Sequence, residues 1–149
     1  MSAGDVLPPT ANILRVPSVK LTHAPAGESL PTPEAFALSS EERATRDRGQ
    51  RVRVSVWDAR KITPIVAVAQ RRAGPHLVFA LAVAVVDDLA LRLDLPTLRV
   101  VEDPEGVLPG TPPEIAVAHA GIEGLDVGTR RTLKDIRLAL ADACRPVVC

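Results

Sequence analysis

The chain has 149 residues and a mass of 15.8 kDa, enough for one ordinary domain with some loose chain and too short for a two-domain cofactor enzyme. Its 18 basic residues equal its 18 acidic ones and 46% of it is apolar, which argues against strong disorder and against the basic surface of a general nucleic-acid binder. Phe36, Phe79 and Trp57 are its only aromatic residues, so the core must come from aliphatic side chains, and the stacking platforms of single-stranded nucleic-acid modules are lacking.

The first residues, Met1-Ser-Ala-Gly-Asp-Val-Leu-Pro-Pro, carry neither the basic segment nor the apolar stretch of a secretory signal. Leu77 to Val86 is the longest uncharged apolar stretch, and its ten residues are about half of the roughly 20 that a membrane helix needs. A cytoplasmic protein without a membrane segment is expected, with Cys144 and Cys149 as thiols.

Residues 1–50 hold six of the fourteen prolines and show no sustained apolar period, which predicts a flexible or loosely docked arm ahead of a single domain over 51–149. Within the arm, Asn12-Ile-Leu-Arg-Val fits a short strand, and the segment from Pro33 fits one or two helical turns that lay Phe36 on the core. From Arg51 the texture changes. Val52, Val54 and Val56 alternate with Arg51, Arg53, Ser55 and Trp57, the mark of a half-buried strand. Thr63-Pro64 opens a helix that runs to Arg72 and stops at Gly74-Pro75.

Leu77 to Val86 places its large residues on odd numbers, which predicts a strand, although its composition also fits a helix across 77–91. Asp87-Asp88 then reads as a turn, and Leu89, Leu91, Leu93 and Leu95 as a second strand, hairpin-linked to the first. A strand over Thr97 to Val101 follows, then a loop rich in proline and glycine from Glu102 to Pro113. A strand over Glu114 to Ala120 and a turn-rich link from Gly121 to Gly128 lead to a final helix. That helix begins near Thr129 and carries Leu133, Ile136, Leu140 and Ala143 at helical spacing. The resulting fold class is α+β: a mostly antiparallel sheet with two helices covering one face, preceded by the proline-bearing arm.

Few residue patterns point to chemistry. The link Gly121-Ile-Glu-Gly-Leu-Asp-Val-Gly128 lacks the spacing and the Lys-Ser or Lys-Thr pair of a phosphate-binding loop. His23, His76, His119, Cys144 and Cys149 do not have zinc-site spacing. Asp87 and Asp88 could join Asp94, Glu102, Asp103 or Glu105 around a hard cation if the loop folded back, but a plain turn explains the pair. Neither a metal nor a cofactor is expected. For acid-base or covalent work the candidates are His119, paired with Cys144 or Asp126, and His76, with Asp87 and Asp88 as further carboxylates. Ser55 lies mid-strand without the glycines of a nucleophile elbow.

Trp57, beside Arg53 and ahead of Arg60 and Lys61, would be a recognition anchor if exposed. Residues 51–72 set six bases against Asp58, whereas 87–105 set six acids against Arg92 and Arg99. This asymmetry suits a protein partner or a second copy of the chain. The sequence therefore predicts a small interaction or regulatory domain, oligomeric or bound to an acidic surface through Trp57, Arg51, Arg53, Arg60, Lys61, Arg71 and Arg72. The alternative is a small hydrolase-like enzyme built on a His/Asp group. Weak nucleic-acid binding through 51–72 is disfavoured because the rest of the chain cancels its charge. An exposed Trp57 or an uncovered sheet edge would favour binding; a converging His and Asp would favour catalysis.

Overall fold

The structure, a computed structural model, describes residues 5–16, 22–23, 30–31, 36, 53–70, 78–107, 109–125 and 130–147. In chain order its elements are β1 (Asn12–Arg15), β2 (Thr22–His23), β3 (Leu30–Pro31), β4 (Arg53–Asp58), α1 (Pro64–Ala69), β5 (Val78–Ala82), α2 (Val83–Arg92), β6 (Arg99–Glu102), α3 (Pro113–Ala116), β7 (His119–Glu123), α4 (Arg130–Ala143) and β8 (Arg145–Val147). Six strands form one sheet in the order β6-β7-β4-β1-β5-β8, and every neighbouring pair is antiparallel. The strands β2 and β3 make a separate two-stranded ribbon. The mixed α+β class and the dominant antiparallel sheet are as the sequence predicts.

The strand expected at Asn12 lies in the middle of that sheet, between β4 and β5. Its alternation explains the position. Ile13 enters the core on one face, and Leu14 enters a second cluster on the other, a pattern that only a strand covered on both sides needs. Ahead of it, Leu7 N–H donates to Val100 O and Glu102 N–H to Asp5 O, so residues 5–7 occupy the outer edge of β6. At the opposite edge, β8 carries Pro146 opposite Phe79, and a proline there offers no donor to a further strand.

Helices lie on both faces, which corrects the expected pair on one. Val83, Val86 and Leu89 of α2, with Ile136, Leu140 and Ala141 of α4, pack into the cluster formed by Ile13, Val54, Val56, Phe79, Leu81, Val100 and Ile122. On the other face Ala67 and Val66 of α1 and Ile115 of α3 join Leu14, Val16, Trp57 and Val78. Four helices rather than two are therefore present among the described residues.

The expected hairpin through Asp87-Asp88 is not formed. The alternation holds as far as Ala82; the chain then turns directly into α2, where Val83, Val86 and Leu89 are buried at helical spacing while Leu91 is 83% exposed. Ala82 supplies no side-chain cap. The orphan amide of Val83 donates instead to Ala11 O, at 3.0 Å, across the sheet. A helix start satisfied from a distant strand leaves no local signature. Asp87 and Asp88 consequently ride on α2 and not in a turn.

The strand expected over Glu114 to Ala120 is also displaced. Pro112 and Pro113 start the short helix α3, since proline suits a first helical turn, and the strand begins at His119 and runs through Gly121 to Glu123. Glycine is ordinarily weak in a strand. Here a Cβ on Gly121 would lie 2.6 Å from Arg53 Cβ, so the missing side chain is the space in which Arg53 rests.

Candidate functional site

The pairing of β4 with β7 sets Arg53 opposite Glu123, Ser55 opposite Gly121 and Trp57 opposite His119. These six residues share the face opposite Val54 and Val56, because successive side chains of a strand alternate. The neighbouring strand β6 adds Arg99, which pairs with Glu123, and the turn after β6 adds Asp103.

That turn is specified locally. Asp103-Pro104-Glu105-Gly106 has the residues favoured at the first, second and fourth positions of a type I turn, and Gly106 N–H donates to Asp103 O at 3.0 Å. The same carbonyl lies 2.7 Å from His119 Nδ1. A carbonyl can only accept, so Nδ1 carries the proton, and in the neutral ring Nε2 is left as the acceptor. Ser55 Oγ stands 2.7 Å from Nε2 and donates to it. The Asp103 carboxylate, with Oδ2 at 3.6 Å from Nδ1, adds its field but is not the direct partner. The ring is 3% exposed. It meets the indole of Trp57 edge-on, with centroids 4.9 Å apart and planes at 79°, and Gly106 lies so close that a Cβ there would come within 3.0 Å of His119 Cε1.

A chain of ion pairs surrounds this couple. Arg53 Nη1 bonds Asp103 Oδ1 at 3.0 Å and Arg53 Nε bonds Glu123 Oε1 at 2.8 Å; Arg99 Nε takes the other oxygen, Oε2, at 2.8 Å. Burial opposes ionisation of Glu123, but the bonds from Arg99 and Arg53 outweigh it and hold the carboxyl below its ordinary range. Burial likewise disfavours the Arg53 charge, and its bonds to Glu123 and its attraction to Asp103 outweigh that, raising it above the ordinary arginine value. The network thus reads Arg99, Glu123, Arg53, Asp103, His119, Ser55 from the edge strand inwards.

Of the two partners expected for His119, Cys144 belongs to the cluster on the opposite face, where burial pushes its thiol up to about 12, and Asp126 falls outside the described residues. His76 also falls outside them, as do Arg51, Arg71 and Arg72. Asp87 is partly buried on α2, and burial together with its neighbour Asp88 raises its carboxyl above the ordinary value. Among the described residues no three His, Cys, Asp or Glu side chains are grouped so as to hold a metal ion, and no helix is long and apolar enough to cross a membrane.

Among the described residues the expected interaction side chains, Trp57, Arg53, Arg60 and Lys61, each have partners within the chain. Trp57 is 6% exposed and so does not stand on the surface. Arg60 bonds Asp58 through Nε and Nη2, which holds the Asp58 carboxyl low against its burial, and Lys61 Nζ bonds Glu102 at 3.0 Å. Ser55, which lacks the glycines of a nucleophile elbow, and Asp103, which the sequence offers only as a cation ligand, nevertheless both meet His119. The Asp-Pro-Glu-Gly turn was a local signal for Asp103. For Ser55 there was none, since its partner is 64 residues away. No protein-family model, curated protein or solved structure matches the chain.

Proposed function

We propose that the chain is a small hydrolase-like enzyme in which Ser55 is the nucleophile and His119 its general base, acting on acyl esters. The observation that carries the reading is the 2.7 Å contact from Ser55 Oγ to His119 Nε2, made by a ring whose other nitrogen is fixed as a donor to the Asp103 carbonyl. A serine hydroxyl is a poor nucleophile until a neighbouring base takes its proton, and a base is useful only if its lone pair points at that proton. Both conditions are met by this tautomer. The acidic-partner surface is the weaker reading because Trp57 is buried and Arg53, Arg60 and Lys61 each bond a carboxylate.

In the proposed reaction Ser55 Oγ forms a bond to the ester carbonyl carbon while its proton passes to His119 Nε2 and the carbonyl electron pair moves onto oxygen. Collapse of that intermediate breaks the bond to the alcohol oxygen, which leaves with the proton from His119. Water then repeats the sequence on the acyl-serine, releasing the acid and restoring the Ser55 hydroxyl. Through both halves the Asp103 carbonyl keeps Nδ1 protonated, so only Nε2 exchanges protons.

A fluorophosphonate probe and intact-mass spectrometry test this directly. Wild-type protein should gain one phosphonyl group and Ser55→Ala none, and hydrolysis of p-nitrophenyl acetate should fall in Ser55→Ala by about 10²–10⁴-fold. Wild-type protein that takes no label, or hydrolysis equal in the two proteins, overturns the proposal.

A further inference from the structure

The turn whose carbonyl fixes the base is tied down by one side chain, and that side chain belongs to the strand carrying the serine. Arg53 precedes Ser55 by two residues on β4, so both emerge on the same face. Its stem crosses Gly121, where a Cβ would come within 2.6 Å of Arg53 Cβ. Its guanidinium spans two carboxylates from different segments, Glu123 on β7 and Asp103 in the turn after β6. A planar fork held at two points on two elements has little rotational freedom left. Asp103 in turn presents the carbonyl that accepts from His119 Nδ1.

We infer that Arg53 is a positioning residue for the Ser55 and His119 couple: it holds the Asp103 turn in place and neutralises the Asp103 carboxylate beside the imidazole. The inference rests on the reading of that couple as reactive. The Arg53 guanidinium bonds Glu123 and Asp103, and it acts on the imidazole through Asp103. Neutralisation matters because an uncompensated carboxylate 3.6 Å from Nδ1 would favour the imidazolium, which has no lone pair for the serine proton. Among the described residues the charged groups around the couple are Asp103 with Arg53 behind it, Glu123 with Arg99 further along the sheet, Arg15, whose Nη1 donates to Ser55 O at 3.0 Å, and Lys61, whose Nζ lies 3.5 Å from Val117 O.

Arg53→Met should therefore move the acid limb of the hydrolysis profile to higher pH by about one unit, and should move the titration of His119, followed through its ring ¹⁵N resonances, by the same amount. Arg53→Lys keeps a positive charge beside Asp103 and should leave the limb near its wild-type position despite losing the fork. Asp103→Asn keeps the carbonyl and removes the negative charge, leaving Arg53 positive beside the ring, and should shift both readouts to lower pH; it serves where Arg53→Met does not fold. A general loss of rigidity would not displace Arg53→Met and Asp103→Asn in opposite directions. If Ser55 takes the phosphonate label but His119 titrates alike in wild type, Arg53→Met and Asp103→Asn, the Arg53 inference fails and the reactive couple stands. If His119 shifts as stated but wild-type Ser55 is never labelled, Arg53 does govern the imidazole and the enzymatic reading is what fails.

Discussion

The two faces of β4 differ in what holds them. Val54 and Val56 sit in a cluster of hydrocarbon beneath α2 and α4, where cohesion scales with the apolar area removed from water and no geometry beyond close packing is required. Arg53 and Ser55, on the other side of the same six residues, belong to a network of directed bonds to Glu123, Asp103 and His119, with Trp57 set edge-on against the imidazole. The lesson is a division of labour within one strand. A face held by packing supports stability, and a face held by directed bonds can support chemistry, because only directed bonds fix a tautomer or a charge.

The largest expected effect breaks the first face while leaving the second alone. Phe79 is fully buried in the apolar cluster, and Phe79→Ala should cost about 3–5 kcal/mol in urea unfolding, through lost burial and the cavity left behind. Ser55→Ala should cost about 1–3 kcal/mol, since it takes the hydroxyl from the buried Nε2 of His119, while removing all labelling by the fluorophosphonate. Equal losses of stability in the two variants would mean that the faces are not separable and that Ser55 is a packing residue.

Next comes the ionic layer of the second face. Replacing the carboxylate in Glu123→Gln should cost about 1–2 kcal/mol, less than the 3–5 typical of a fully buried pair, because the Arg99 side chain is 40% exposed. The pH dependence carries the sign. Since the folded carboxyl lies below its ordinary value of 4.5, its contribution is present above that pH and is lost as pH falls from 4.5 through the lower folded value. Wild type should therefore lose stability over that window, and Glu123→Gln should lack this part of the acid slope. An unchanged slope in the variant would remove the ion pairs from the account of this face.

The two faces were not equally legible in the sequence. The strand over Arg53 to Trp57 and the last helix, with its buried Ile136 and Leu140, announce themselves because an amphipathic element writes its burial pattern into consecutive residues. The strand at Asn12 has the same signature, though nothing in its neighbourhood reveals that it is central. The boundary between β5 and α2 is silent because its cap is Ala11 O, brought from β1. The candidate site is hidden for a related reason. His119 and Ser55 are each unremarkable alone, and what joins them is the register of β4 on β7, a long-range property that no spacing along the chain encodes. Gly121 illustrates it best, since its residue type makes sense only once Arg53 lies across it.

The smallest effect concerns the helical layer over the apolar face and asks whether its limit lies in packing or in backbone. At the end of α2, Leu95 N–H donates to Ala90 O and Asp94 N–H to Leu91 O, the paired bonds of a Schellman closure, with Asp94 itself at φ 52°. That left-handed conformation is ordinarily given to glycine, and a negative charge at a helix C-terminus meets the negative end of the helix dipole. Asp94→Gly removes the strain and the charge together, while adding unfolded-state entropy that offsets part of the gain. The net expectation is a stabilisation of about 0.5–1 kcal/mol, read as a raised urea midpoint with an unchanged denaturant slope. Asp94→Asn removes only the charge and should recover less. If Asp94→Gly is instead neutral or destabilising, the closure is not limited by its backbone, and α2 is held over the apolar face by the packing of Val83, Val86 and Leu89 alone.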